Sequence, residues 1–339
     1  MTELLTLGTY TRDKSQGIYT VSLDTQNDTL KDLTLLTEAG NPTYLAKKDH
    51  TLISVLTNGD QGGIASWDLE NQSCFLINSV MKNGAAPCYV SIDSERQLTY
   101  SANYHTGEIT VYQLSLAGQL EQVESLTYAG SGPHPNQATS HAHFADLTPD
   151  NRLVTCDLGG DTVYTYDVSP EGKLTEVTSF NAPAGSGPRH LAFHPNKTTA
   201  YLFGELDSTV TTLNYDVLTG AFSQNQTYST LPKDFTGESS GAAIQISQDG
   251  RFLYLSNRGH NSIVTFEISA DDPNTLTPIQ WISTEGDGPR DFTLNKTEDY
   301  LIVGHQFTNN LTLFKRSKDT GLLTLVQKDF EAPECVCIV

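Results

Sequence analysis

Short apolar runs of alternating character recur along the whole chain. Each is rich in Val, Ile, Thr, Tyr and Phe and is bounded by Asp, Asn or Gly turns, which is the composition and period of β-strands. No stretch of helical length carries a 3.6-residue period. The runs are organised in copies: a turn with Asp or Asn, an apolar run, a polar patch, then a second alternating run. Copies begin at Ala46, Ser91, Leu147, Phe193, Ile246 and Leu294, and residues from Leu4 supply the second half of another. A Gly/Pro punctuation precedes most of them, as in Gly40-Asn41-Pro42, Gly84-Ala85-Ala86-Pro87, Gly130-Ser131-Gly132-Pro133, Gly185-Ser186-Gly187-Pro188 and Gly286-Asp287-Gly288-Pro289.

The repeat is roughly 45 to 55 residues, the length of a four-stranded propeller blade. Six internal copies and one split copy predict an all-β, seven-bladed β-propeller of four-stranded blades, a single domain over residues 1–339. The split predicts how the ring closes. The C-terminal strand, Cys335 to Val339, reads as an innermost strand without partners. Residues 3 to 37 read as three strands without an innermost one. Pairing the two removes an open sheet edge. The dipeptide Trp67-Asp68 occurs once and reads as a strand aromatic packed between blades.

Composition narrows the function classes. The chain has 339 residues, with 40 acidic and 20 basic side chains and a formal net charge of −20. Such a surface repels nucleic acid and anionic membrane, and no Lys/Arg run offsets it. No apolar run approaches a membrane span. Met1-Thr2-Glu3-Leu4-Leu5 lacks a basic start and a long apolar core, so a cytoplasmic location is expected. The five Cys residues are scattered without a C-x-x-C pair, so no disulfide framework is indicated. A closed ring needs no partner to bury its edges, so a monomer is expected. An anionic ligand would need a local basic site within this acidic field.

Two columns of the repeat supply such a site. The start of each innermost strand, after the Gly/Pro turn, carries His141 and His143, Arg189 and His190, and Arg290. The end of the second strand carries Asn103-Tyr104-His105, Asp157-Leu158, Gly204-Glu205, Asn257-Arg258 and Gly304-His305. In a propeller both columns face one mouth of the central channel, where loops on a rigid scaffold carry function. Glu205 and Arg258 come from consecutive blades and should be neighbours, as should His141 and Arg189. One carboxylate, two guanidiniums and an imidazole suit an anionic ligand and proton transfer. Glu beside Arg stays ionised, and His beside Glu is biased towards its charged form. A structural ion pair between blades is the alternative. His141-Ala142-His143 can hold a metal only with a third ligand such as Asp157 or Glu205; no metal and no cofactor are expected. No G-x-S-x-G elbow or Walker loop is present.

Gly187-Pro188-Arg189-His190-Leu191-Ala192-Phe193-His194-Pro195, followed by Ala200-Tyr201 and Glu205-Leu206, resembles the lactonase family of seven-bladed propellers. That family includes cycloisomerase-type 6-phosphogluconolactonases and 3-carboxy-cis,cis-muconate lactonizing enzymes. Ser140-His141-Ala142-His143, Ser256-Asn257-Arg258 and Gly288-Pro289-Arg290 also resemble its segments. The resemblance covers the whole chain in order. It implies a metal-independent site of His141, Arg189, Glu205 and Arg258, with Arg290 competing for the second arginine role and His134 and His143 rivalling His141. Arg290, His143, His190, Asn257 and His305 are the substrate-binding candidates beside them. The implied activity is hydrolysis of 6-phospho-D-glucono-1,5-lactone, a small anionic sugar-phosphate lactone. Glu205 or His141 would act on water, Arg189 on the oxyanion, and Arg258 or Arg290 on the phosphate. A muconate-type cycloisomerase or lactonase and a non-catalytic protein-binding propeller are the competing readings.

Overall fold

A computed structural model describes residues 2–70 and 73–339. The described residues form seven four-stranded antiparallel sheets. Six sheets are continuous in sequence, spanning residues 45–83, 89–127, 142–181, 188–229, 240–283 and 289–331, and are numbered blades 1 to 6 here. Blade 7 joins Cys335–Ile338 to Thr2–Thr9, Gly17–Asp24 and Thr29–Glu38. A single 3-10 turn, Pro135–Gln137, is the one helical element among the described residues.

Burial follows position within the blade. Second strands such as Leu98–Asn103 and Thr199–Gly204 are buried at every residue, because neighbouring blades cover both faces. Outermost strands such as Leu120–Thr127 bury only some positions. Equivalent tyrosines in second strands tie blades together. The Tyr201 hydroxyl donates to Pro273 O at 2.9 Å and that of Tyr254 to Gly321 O at 2.8 Å, each a turn of the next blade. A fully buried Tyr hydroxyl needs such a partner. Trp67 is 4% exposed and donates to Ser54 Oγ at 2.9 Å, as its reading as a packed strand aromatic requires.

The ring closes through the C-terminal strand. Cys335–Ile338 pairs antiparallel with Thr2–Thr9, with Leu7 opposite Ile338 and Gly8 opposite Cys337. Thr6 and Val339 exchange both backbone hydrogen bonds, at 2.7 and 2.9 Å. On the other side, Asp291 of blade 6 accepts from Ile338 N at 2.8 Å, and the Cys337 thiol accepts from Leu45 N of blade 1 at 3.3 Å.

Burial pushes the Asp291 carboxyl up to about 7. The unfolded chain releases that proton near about pH 4. The folded state therefore binds the extra proton between those values, and its stability falls as pH rises through about 7. Asp291→Asn should consequently gain melting temperature relative to wild type as pH goes from 4.5 to 8. A difference that stays constant with pH in paired thermal scans would overturn this.

Candidate active site

Glu205 follows the second strand of blade 4, and Arg258 ends the second strand of blade 5. The two blades meet closely here. Gly241 N donates to Glu205 O at 2.9 Å, and a Cβ on Gly241 would lie 2.6 Å from Gly204 O. Only glycine permits that approach. It brings Arg258 Nη2 within 3.1 Å of Glu205 Oε2 and 2.7 Å of Gly241 O. Arg189, on the innermost strand of blade 4, donates from Nε to the same oxygen at 2.9 Å and from Nη1 to Ala242 O at 2.5 Å. His143 Nε2 stands 3.8 Å from it.

Glu205 thus has one saturated oxygen. Its Oε1 makes no hydrogen bond among the described residues, and the side chain is 16% exposed. It lines a cavity of about 430 Å³ at one channel mouth, with Tyr10, Arg12, Cys88, Tyr104, His143 and Arg290 among the other walls. That is a size suited to a small ligand. Arg290 and Arg258 also line an adjoining groove with Gln306 and Phe307.

Charge states follow from this packing. Burial opposes ionisation of Glu205, but Arg258, Arg189 and Arg290 outweigh it and hold the carboxyl below its ordinary range. His143 moves the other way from the sequence expectation. Burial, then repulsion from Arg189 and Arg290, pushes it well below the ordinary imidazole value, so it is neutral. One carboxylate does not offset three guanidiniums. His190 is likewise neutral, by burial and by Arg189. Burial lowers Arg189 to about 10 against the pull of Glu205, which leaves it charged at neutral pH. Burial raises the Cys88 thiol to about 11, so it is no nucleophile.

The sequence-predicted residues divide into three groups. Glu205, Arg189, Arg258 and His143 meet around one carboxylate oxygen, with Arg290 on the cavity wall. His141 and His190 lie one layer away. The His141 ring stacks on Tyr104 at 4.2 Å, and its Nδ1 is 2.7 Å from Tyr104 O. His190 sits beneath the site in an aromatic plug with Tyr89, Phe144 and His143. Asn257 and His305 turn away from the mouth. Asn257 is fully buried and bonded to Thr230 of blade 4. His305 is fully buried, with Nδ1 3.0 Å from Asn310 O. Among the described residues no group of three His, Cys, Asp or Glu is arranged to hold a metal.

Tyr10 and Arg12 were not among the predicted residues. A signal for them exists. Tyr10 N donates to Glu334 O as Glu205 N donates to Gly187 O and Gln306 N to Gly288 O. Tyr10 therefore occupies the Glu205 column in the split blade, where the two halves of the pattern stand at opposite chain ends.

A model of lactonases with the seven-bladed β-propeller fold matches residues 4–339. The chain belongs to the lactonase family of seven-bladed β-propellers. It is 41% identical over 338 residues to the 6-phosphogluconolactonase of Bacillus subtilis strain 168, covering 98% of this chain and 96% of that one. It is 50% identical over 341 residues to an uncharacterised protein of Lactococcus lactis subsp. cremoris, covering 100% and 99%. Among solved structures, a protein from Lactobacillus plantarum is similar at a TM-score of 0.98 and 47% identity. The periplasmic gluconolactonase PpgL of Pseudomonas aeruginosa follows at 0.94 and 28%. Both alignments cover 100% of this chain and 99% of the other. For this lactonase-family propeller, the residues around Glu205 are the candidate machinery.

Proposed function

We propose that this chain is a 6-phosphogluconolactonase, hydrolysing 6-phospho-D-glucono-1,5-lactone to 6-phosphogluconate at the Glu205 mouth. The observation that carries the reading is a carboxylate with one oxygen fixed by two arginines and the other free towards a cavity that also presents guanidiniums. The 41% identity to the Bacillus subtilis 6-phosphogluconolactonase supports the substrate class.

In this reading Glu205 Oε1 takes a proton from water as its oxygen attacks the lactone carbonyl. The tetrahedral oxyanion forms against Arg258, whose side chain is 17% exposed, lies 3.1 Å from Glu205 and lines the adjoining groove. Arg189, 3% exposed, lines neither the cavity nor the adjoining groove and acts on Glu205 as a positioning residue. As the carbon–ring oxygen bond breaks, Glu205 returns the proton to the departing oxygen, leaving a hydroxyl and a carboxylic acid that ionises. Glu205 is a weak base, but the lactone is already reactive and needs mainly positioning and charge stabilisation.

The test is a lactone-hydrolysis assay on the phosphorylated and unphosphorylated gluconolactones. A higher kcat/KM on the phosphorylated lactone is expected. No hydrolysis of either would overturn the assignment. A response to a carboxylated lactone instead would favour the muconate-type reading.

A further inference from the structure

We propose that Arg12 and Arg290 form a clamp for a phosphate monoester dianion, with Glu334 as the residue that positions it. The proposal rests on the lactonase reading of the Glu205 mouth and names how that site would select a phosphorylated substrate.

The mouth has two kinds of arginine. Arg189 and Arg258 are committed to Glu205 and to backbone carbonyls. Arg12 and Arg290 line the same cavity, yet neither forms an ion pair among the described residues. Among the described residues the sole side-chain acceptor on Arg290 is Gln306 Oε1, at 3.4 Å. Carboxylates are not scarce, since acidic residues outnumber basic ones 40 to 20. Both guanidiniums are held by one ring instead. The Arg12 Cζ lies 3.7 Å and the Arg290 Cζ 5.8 Å from the centroid of Tyr10. An aromatic face orients a guanidinium without neutralising it or using its fork of N–H donors. Two such forks beside one ring are placed to meet a single tetrahedral phosphate.

The Arg12 loop is built for this placement. Glu334 Oε1 accepts from Arg12 N at 3.0 Å, and its Oε2 accepts from the N–H groups of Asp13, Lys14 and Ser15 at 3.1 to 3.2 Å. Burial opposes its charge, but these donors hold the carboxyl below its ordinary range. Glu334 also has φ +50°, at the position where blades 4 and 6 place Gly187 and Gly288, with φ +61° and +69°. Glycine adopts this conformation freely, and a side chain there is disfavoured. A glutamate in a glycine position, with four backbone donors on its carboxylate, fixes an otherwise exposed loop. That fixation lowers the ordering cost of ligand binding.

The experiment compares wild type, Arg12→Ala, Arg290→Ala and Glu334→Ala. Steady-state kinetics are measured on both gluconolactones, and inorganic phosphate is titrated by calorimetry. The preference for the phosphorylated lactone should fall at least tenfold in each variant, through KM rather than kcat. Phosphate affinity should fall in parallel. Arg12→Lys should restore part of the preference, because a lysine keeps the charge but not the fork. An unchanged preference in Arg12→Ala, or equal losses on both lactones, would overturn the clamp. If wild type hydrolyses neither lactone, the proposed reaction fails, and the titration still decides. Arg12-dependent phosphate binding then supports the clamp, and Arg12-independent or absent binding ends it.

Discussion

Glu205→Gln should lower kcat on the phosphorylated lactone by about 10²- to 10⁴-fold, the range for loss of a general base. The amide keeps the size of the side chain and one oxygen acceptor, but it cannot take a proton from water. Substrate binding should not weaken with it. Removing the carboxylate leaves Arg189, Arg258 and Arg290 around the mouth with no anion among them. An anionic substrate then fills that role, so KM should hold or fall while kcat collapses. A purely structural ion pair between blades 4 and 5 predicts the reverse, a lower melting temperature with kcat retained. Steady-state kinetics with a thermal scan of the same sample separate the two.

The same residue sets the acid side of the pH profile. Its folded-state carboxyl lies below the ordinary value, so the stability it contributes is complete above about pH 4.5 and is lost as pH falls through the folded value. As the base it should leave kcat/KM on the unphosphorylated lactone, which has no phosphate titrating near about pH 6, flat from about pH 5 to neutrality. His143 and His190 add no limb there, since burial and the arginines keep them neutral. A limb between about pH 6 and 7 on that unphosphorylated lactone would move the base role to a histidine.

The sequence made the Glu205–Arg258 pair visible because both stand in one column of consecutive blades, where a repeat converts sequence position into spatial adjacency. His305 was misread for a related reason. Pro188 pairs with Gly204 and Pro289 with His305, so His305 belongs to the Gly204 column and Gln306 to that of Glu205. A slip of one residue turns a side chain to the opposite face of a strand. His305 therefore enters the blade interface, against Gly286, where an added Cβ would lie 2.5 Å from its ring. Asn257, opposite Gly241, shares that inward column. The neutral state of His143 was not legible either. It depends on how many cations converge, and spacing along the chain does not count them. Ring closure was fully legible, because an unpaired strand at each terminus has only the other to satisfy it.

Deleting residues 333–339 should destabilise the whole ring. Cys335, Val336, Cys337 and Ile338 are each no more than 3% exposed. At roughly 1.5 kcal/mol or more per buried side chain, their loss approaches the total of about 5–15 kcal/mol that holds a typical domain folded. The deletion also bares the Thr2–Thr9 edge and strips Asp291 and Leu45 of their partners on the C-terminal strand. The open edge invites pairing between molecules. The truncated chain should melt at least roughly ten degrees lower or collect as aggregate, read by differential scanning calorimetry and size-exclusion chromatography. Co-expressing the missing strand as a fusion to the N-terminus, a circular permutation that restores its pairing with Thr2–Thr9, should recover most of the stability. A truncated protein that melts with the full-length chain would overturn the fastening role of this strand, leaving it a neighbour of the ring that adds no stability.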